Sequence, residues 1–399
     1  MFLLRSILTH HARFAMRPLR PVLFWTHLVA GVVAGAVVLI MSVTGVLLTY
    51  QKQMTLWADL RGVNAAPPTP GAVRLTPDSL LALVAARESR TPTTVVWRNG
   101  TDMPVEVQFG REGRQYLSAY TGAVVGTGNA TMRKVFQVAT DWHRYLAMKD
   151  ESRKTGKAIT GWSNLAFLVL VLTGVVLWWP RNLTWSAMRN VLWFRRTTSA
   201  KARDFNWHNV IGVWSAVPLA LIVASGAVIS FPWASDLVYK AVGEAPPPRS
   251  TPAAAAERGA EAPSAPLVGD VYALAAQRMP DWRALSLAWP KSAEAPLVYT
   301  LDRGMGGEPH KRATLTVSRT GDAPEWKTFA DQSTGRRARS IMRFTHTGEV
   351  LGFWGQTLAG LVSLGGAVLV YTGLMLSLRR LLAWRRRGTR AEASLAVPA

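Results

Sequence analysis

The sequence contains no cysteine among its 399 residues. Disulfide bonds, iron–sulfur clusters, thiolate haem ligation and covalent c-type haem attachment all require cysteine, so all four are excluded. A metal or haem site in this chain must therefore rest on histidine, carboxylate or methionine side chains.

Charged residues are also scarce. They make up 18% of the chain, whereas soluble globular domains contain about 25%. Four apolar segments contain no acidic residue, and each approaches or exceeds the roughly 20 residues needed to cross a bilayer. We predict membrane helices 1 to 4 at residues 21–50, 162–180, 207–231 and 351–378. The first segment is too long for the core of a signal peptide, which spans about 7–15 residues.

The net charge of +22 is unevenly distributed along the chain. Basic residues with few acids occupy three segments, residues 1–20, 181–206 and 379–399. If the four helices alternate in direction, these segments share one side, and the positive-inside rule places them and both termini in the cytoplasm. Residues 51–161 and 232–350 then lie outside, the latter with a Pro/Ala-rich linker at 245–266. This distribution argues against nucleic acid as the partner and for a lipid bilayer.

The chain divides into two similar halves, each with an apolar helix, an outer segment and a second apolar helix. Each outer segment has a helical pattern followed by strand-like runs. The helices are expected at 75–87 and 268–279, and the strands at 94–98, 105–109, 115–120, 284–289, 297–301 and 313–317. We predict an all-α four-helix transmembrane bundle built from two parallel repeats, each with an outer α+β insertion.

Four of the seven histidines occupy equivalent positions in the two halves. His27 and His208 lie at the cytoplasmic ends of helices 1 and 3, whereas His143 and His346 lie at or near the outer ends of helices 2 and 4. Ionisable side chains on membrane helices are costly, so they are candidates for a functional site. We expect one pair of histidines near each face of the membrane. Three others lie in polar segments and are interpreted as surface residues: His10, His11 and His310.

Each helix also contains a threonine or serine followed by glycine. These pairs are Thr44-Gly45, Thr173-Gly174, Ser225-Gly226 and Thr372-Gly373. His27 and His208 each precede the pair on their own helix by 17 positions. Such small residues let helices, or a flat cofactor, approach closely. Helix packing alone would explain any single glycine equally well.

The histidine pairs favour haem over other metal sites. Two histidines without a nearby carboxylate make a poor zinc site, because zinc takes four ligands. Two axial imidazoles suit haem iron, for which the porphyrin supplies the other four nitrogens. We therefore predict two b-type haems, one held by His27 and His208 and the other by His143 and His346.

Three arginines lie near the predicted haem layers: Arg20, Arg144 and Arg343. Arginine binds carboxylates in a bidentate manner, so these side chains are candidates for pairing with haem propionates. Contacts with lipid headgroups, or a role in membrane topology, would explain them equally well.

Several motifs resemble those of the PepSY-associated transmembrane family of bacteria. They are Asp-Trp-His-Arg before helix 2, Leu-Thr-Gly-Val-Val-Leu-Trp-Trp-Pro-Arg at its end, and Phe-Thr-His-Thr-Gly-Glu-Val-Leu-Gly before helix 4. The resemblance covers about residues 15–388, and the outer segments resemble PepSY-type modules. It implies an inner-membrane protein tied to iron acquisition, since some members are di-haem reductases that release iron from ferric siderophores in the periplasm. It also implies the ligand role for the four paired histidines.

We therefore expect an electron-transfer enzyme that reduces a ferric siderophore or another Fe(III) chelate. No nucleotide-binding glycine motif follows a strand, so the electron donor is expected to be a quinol or a separate cytoplasmic reductase. Two alternatives stay open. One is a non-enzymatic anchor or sensor whose outer modules bind a periplasmic peptide, protein or chelate. The other is a haem or siderophore permease, which the absence of carboxylates within the four spans disfavours.

Overall fold

The computed structural model describes residues 19–110, 113–179, 184–248, 267–290, 292, 295–318 and 324–395. Predictions that concern His10, His11 and most of the linker at 245–266 lie outside these residues. The helices are α1 (Leu19–Leu48), α2 (Gln51–Leu60), α3 (Pro77–Arg87), α4 (Ala130–Tyr145), α5 (Ser152–Trp178), α6 (Trp185–Leu192), α7 (Ala200–Ser230), α8 (Pro232–Ala241), α9 (Leu267–Arg278), α10 (Thr334–His346) and α11 (Gly352–Leu395). Short 3₁₀ helices cover Pro309–Lys311 and Glu349–Leu351.

Four of these helices are long and apolar enough to cross a membrane, which confirms the predicted number. They are α1, α5, α7 and α11. Helix α5 begins at Ser152, well before the predicted start at residue 162. Its first turns pack so closely on the end of α4 that a Cβ atom at Gly156 would collide with the carbonyl of Tyr145. Helix α11 continues past residue 378 through the basic tail, which is rich in good helix formers.

The four long helices form a bundle in which each packs against two neighbours. Helices α1 and α7 both pack against α5 and α11, so they lie diagonally opposite each other. The middle of the bundle is apolar and contains the buried side chains of Ala34, Val38, Phe167, Leu219, Val223, Val362 and Val370.

All predicted strands are observed within a few residues of their expected bounds. The strands are β1 (Thr94–Arg98), β2 (Val105–Gln108), β3 (Arg114–Leu117), β4 (Val124–Gly126), β5 (Ala284–Ala288), β6 (Leu297–Asp302), β7 (Arg312–Val317) and β8 (Glu325–Thr328). They do not form two separate modules. They form one antiparallel sheet of eight strands in the order β4-β3-β2-β1-β5-β6-β7-β8. Strands β1 and β5 pair along their whole lengths, from Thr94 opposite Ala288 to Arg98 opposite Ala284.

The sheet has one apolar and one polar face. The apolar face packs under α3 and α9, with Leu80 and Ala275 buried against Val107, Leu287 and Leu315. On the polar face, Tyr116 donates a hydrogen bond to Asp59 of α2 at 2.8 Å. Helix α2 follows α1 directly, so this contact ties the sheet to the outer end of the bundle.

Candidate functional site

The inner pair of histidines lies inside the bundle. His27 on α1 and His208 on α7 approach each other across the diagonal, although they are far apart in sequence. Their ring centroids are 6.3 Å apart, and the ring planes are inclined at 83°. The structure therefore brings together the two histidines that the comparison of the two halves predicts to form a pair.

Threonine side chains on the neighbouring helices orient both inner rings. His27 Nδ1 lies 2.9 Å from Thr173 Oγ1, and His208 Nδ1 lies 3.0 Å from Thr372 Oγ1. Each threonine hydroxyl donates its own proton to a carbonyl of its helix, at 2.6 Å from Thr173 and 2.8 Å from Thr372. The hydroxyl can therefore only accept from the imidazole, which places the proton on Nδ1 and leaves a lone pair on Nε2.

The outer pair consists of His143 and His346, with ring centroids 6.2 Å apart and planes inclined at 55°. These residues lie before the second and fourth membrane helices, near the ends at which the sequence analysis expected them. They lie in the last turns of the shorter helices α4 and α10. Helix α4 ends because Leu146 adopts a left-handed conformation with φ of 51°. After α10, Gly348 adopts φ of 72°. Each histidine thus precedes a turn that leads into a membrane helix.

Backbone carbonyls of the membrane helices orient the outer rings. His143 Nδ1 lies 3.0 Å from the carbonyl of Met41 on α1 and 3.0 Å from Thr44 Oγ1. His346 Nδ1 lies 2.9 Å from the carbonyl of Ile222 on α7. A carbonyl can only accept, so these rings also carry the proton on Nδ1. Burial, and then repulsion from the like charge of a protonated His346, lowers the pKa of His143 to about 4. Burial also lowers the pKa of His346, so both rings are neutral at physiological pH.

A glycine backs each of the four imidazoles. A Cβ atom would lie 3.6 Å from Cε1 of His143 at Gly45, 3.4 Å from that of His27 at Gly174, 3.1 Å from that of His346 at Gly226, and 3.3 Å from that of His208 at Gly373. Because glycine has no side chain, each of these four positions leaves room for an imidazole ring. In each half, the small–glycine pair on a membrane helix contacts a histidine that belongs to a different helix. The pair on α5 contacts His27 of α1, and the pair on α1 contacts His143.

The donor set of both pairs fits haem iron. Imidazole nitrogen–metal bonds are about 2 Å long, so two imidazoles on opposite sides of one metal ion have centroids about 6 Å apart. Both pairs match this separation. Among the described residues no group of three or more His, Cys, Asp or Glu side chains could hold a metal ion. A metal ion held between the rings of a pair would therefore need its remaining ligands from the group that carries it, as a porphyrin provides. The hydrogen bonds from Nδ1 are the outer-shell contacts that metal-binding histidines make.

The three candidate arginines differ in their surroundings. Arg20 donates a hydrogen bond to the carbonyl of Trp179. Arg144 and Arg343 are exposed, and their guanidinium groups lie 5.2 and 5.6 Å from the ring centroids of the adjacent Tyr145 and Phe344. Neither forms an ion pair within the described part of the chain. Both cations next to the outer histidines are thus available to an anionic group.

Two aromatic side chains lie between the levels of the two histidine pairs, Phe167 inside the bundle and Trp214 outside it. The 17 positions between His27 and Thr44, which contacts His143, correspond to about 25 Å of helix between the two layers. Phe167 is buried in the core between the layers. Trp214 is 67% exposed and donates to the carbonyl of Leu192, so it faces away from the core. The remaining described histidine, His310, is exposed on the Pro309–Lys311 turn.

Two carboxylates that anchor the histidine-bearing helices are not evident from the sequence. Asp59 accepts a hydrogen bond of 2.7 Å from the backbone N–H of Asn129, the N-cap of α4, and pairs with Arg133. Glu244 accepts one of 2.7 Å from Ser333, the N-cap of α10. Each lies far in sequence from the helix that it holds, and neither belongs to a recognisable motif.

A family model described as the PepSY-associated TM region matches residues 24–380. The matched span includes all four paired histidines and the small–glycine pairs that contact them. No curated protein matches the chain.

Proposed function

Because the chain belongs to the PepSY-associated transmembrane family, we propose that it is a b-type di-haem electron-transfer protein of the bacterial inner membrane. It reduces ferric iron, in a siderophore or another Fe(III) chelate, on the periplasmic side during iron acquisition. The observation that carries the proposal is the presence of two facing imidazole pairs, each at the separation that a single iron atom requires.

The four histidines have the same role in this proposal. His27 and His208 hold one haem, and His143 and His346 hold the other, each through Nε2. Haem iron supplies reversible one-electron chemistry at both layers, so the chain needs no acid–base residue for the reaction. Acceptance of the Nδ1 proton by a hydroxyl or a carbonyl raises the basicity of each ligand and fixes its orientation.

The surroundings of the two layers support electron flow from the inner pair to the outer pair. The inner pair lies near the basic segments, which the positive-inside rule assigns to the cytoplasm, so the donor is a quinol or a cytoplasmic reductase. The outer pair lies near the sheet, with Arg144 and Arg343 free to neutralise propionates. Arg20 has the corresponding role at the inner layer. Reduction of Fe(III) weakens its binding by hard oxygen ligands, which releases the metal.

A purely structural role for the histidines is less well supported. A non-enzymatic anchor or sensor would use the rings to bond helices together. The Nδ1 hydrogen bonds do join neighbouring helices, but within the described residues no hydrogen bond joins the two rings of either pair, so this role does not explain why the rings face each other. The Nε2 atoms are left for another ligand.

The proposal is tested on the full-length protein purified in detergent. We expect a Soret band, two haems per chain by pyridine haemochrome assay, and the low-spin ferric EPR signal of bis-imidazole iron. The reduced protein should be reoxidised by an Fe(III) chelate, with Fe(II) trapped by ferrozine in stoichiometric yield. A folded but colourless protein, prepared from haem-replete cells, would contradict the proposal and favour the anchor or sensor.

A further inference from the structure

Helix α10 presents a row of arginines that ends at an outer histidine. Arg336, Arg339 and Arg343 are all exposed. They are followed by His346, and the successive spacings of three, four and three residues place all four on one flank of the helix. The row extends over about 15 Å of helix from Arg336 to the outer pair.

The charges in this row are not neutralised by the protein. Helix α10 contains no acidic residue. Arg339 donates to the hydroxyl of Ser235 at 2.7 Å, which leaves its charge uncompensated. Within the described residues none of Arg336, Arg339 and Arg343 pairs with a carboxylate. At the start of the helix, Glu244 accepts a hydrogen bond from Ser333.

The helix that carries the other outer histidine has no such row. Counted back from His143, the equivalent positions on α4 are Thr140, Phe136 and Arg133. Phe136 is buried, and Arg133 pairs with the buried carboxylate of Asp59. A row of free cations leading to the outer pair is therefore found on α10 and not at the equivalent positions of α4.

The position of α10 indicates what approaches these cations. Its N-terminal end adjoins the edge strand β8, because Asp331 accepts hydrogen bonds from the N–H and hydroxyl of Thr328 at 2.8 and 2.7 Å. Its C-terminal end carries His346. The row thus connects the edge of the sheet with the outer histidine pair. The row spans about three helical turns, so an anion that binds along it can contact more than one guanidinium group.

We propose that Arg336 and Arg339, with Arg343 at the end of the row, form a docking surface for an anionic, oxygen-liganded Fe(III) chelate. This inference rests on the proposed function for the identity of the metal. Guanidinium groups bind carboxylate and catecholate oxygens through paired hydrogen bonds, and an exposed cationic row attracts an anion along its length. A neutral chelate of the same size gains nothing from the row.

The test is equilibrium binding of Ga(III) complexes, which match Fe(III) in size and charge but are not reduced. The full-length protein in zwitterionic nanodiscs is titrated with a tris-catecholate complex of charge −3 and with a neutral tris-hydroxamate complex. The double variant Arg336→Gln/Arg339→Gln is compared with Lys134→Gln/Lys157→Gln, which removes two exposed cations from the first half.

At low salt we expect the arginine variant to bind the anionic complex about five- to tenfold more weakly, since each exposed charge pair contributes modestly. Its affinity for the neutral complex, and both affinities of the lysine variant, should stay at the wild-type value. The difference should shrink as ionic strength rises. Equal binding of the anionic complex by the arginine variant and the wild type would overturn the inference.

Two further outcomes separate this inference from the proposed function. Arginine-dependent binding of the anionic Ga(III) complex by a protein without haem would retain the docking surface and contradict the reductase. A haem-loaded protein whose arginine variant loses affinity only for phosphatidylglycerol vesicles would identify a headgroup site and overturn the inference alone.

Discussion

The two histidine pairs have nearly the same separation but are built in different ways. The inner rings belong to the membrane helices, and side-chain hydroxyls of Thr173 and Thr372 orient them. The outer rings belong to short helices outside the four spans, and main-chain carbonyls of the spans accept their protons. The inner pair is therefore part of the bundle, whereas the outer pair depends on the docking of α4 and α10 against it.

The two pairs should therefore respond to different substitutions. Because side-chain hydroxyls orient the inner pair, single substitutions can remove these hydrogen bonds, although the backbone carbonyls of Leu170 and Leu369 also accept from the rings. The carbonyls that orient the outer pair cannot be removed by substitution, but the helices that carry its rings can be displaced. The outer pair is thus the one that contacts between the sheet and the bundle can influence.

Removal of one ligand should have the largest effect and should reveal whether the pairs are independent. We expect His27→Ala to lower the haem content from two per chain to about one, because axial ligands dominate haem retention. His143→Ala should give the same ratio but a different residual EPR spectrum, since the remaining pairs have ring angles of 83° and 55°. Loss of both haems from either folded variant would show that the layers are coupled.

Weakening the attachment of α4 should affect only the outer pair. The buried Asp59 accepts hydrogen bonds from Tyr116 and Asn129 and pairs with Arg133. Asp59→Asn leaves the guanidinium without its counter-charge and should cost about 3 kcal/mol of stability. Burial raises the pKa of Tyr116, so this donor stays protonated and is not the weak point. We expect a lower melting temperature and a broadened outer haem signal, with the inner signal unchanged.

The matched substitution in the second half is Glu244→Gln. Glu244 is a half-buried partner of Ser333, and glutamine can still accept that hydrogen bond. The change in melting temperature should therefore be much smaller than for Asp59→Asn. Equal losses of melting temperature in the two variants would mean that both attachments contribute equally to the stability of the outer pair.

The glycines behind the rings give a finer comparison within the outer pair. A Cβ atom at Gly226 would lie 3.1 Å from both Cε1 of His346 and Oδ1 of Asn164, whereas one at Gly45 would lie 3.6 Å from His143. Gly226→Ala should therefore displace the ring and cost about 1–3 kcal/mol. Gly45→Ala meets only ordinary van der Waals contact and should leave the outer haem spectrum at its wild-type position. A larger shift in the Gly45 variant would contradict this view of the ring pockets.

The smallest predicted effect concerns the redox potential. Thr173→Val removes the side-chain acceptor of the His27 proton and leaves only the backbone carbonyl of Leu170, so the imidazole becomes less basic and the midpoint potential of the inner haem should rise. One hydrogen bond contributes about 1 kcal/mol, which corresponds to roughly 40 mV for one electron. Thr44→Val should shift the outer potential less, because the Met41 carbonyl still accepts from His143. Spectroelectrochemical titration of both variants measures the contrast.

Much of the membrane part could be predicted because membrane helices leave strong signals. Length and the absence of acids located all four spans, and the two 17-residue spacings singled out His27 and His208. The exchange of small–glycine pairs between the helices of each half could not be predicted. The spacing relates each pair to the histidine of its own helix, but the bundle places that pair beside a histidine from a different segment.

The outer part was less predictable because its decisive contacts are long-range. The alternation of apolar residues located the strands but carries no information about which edge meets which, so the pairing of β1 with β5 was missed. Helix α4 ends at Leu146 and Ala147, which adopt φ of 51° and 56° without being glycine. Such residues rarely adopt this conformation, so the sequence gives no sign of the break between α4 and α5.

The pairing of β1 with β5 also determines how either half of this chain would behave on its own. Alone, either half would hold one imidazole of each layer and would expose a five-residue edge strand with unsatisfied backbone groups. Two copies associating edge to edge would complete the sheet and both histidine pairs at once. In this chain both kinds of contact are intramolecular, so they form without a second copy.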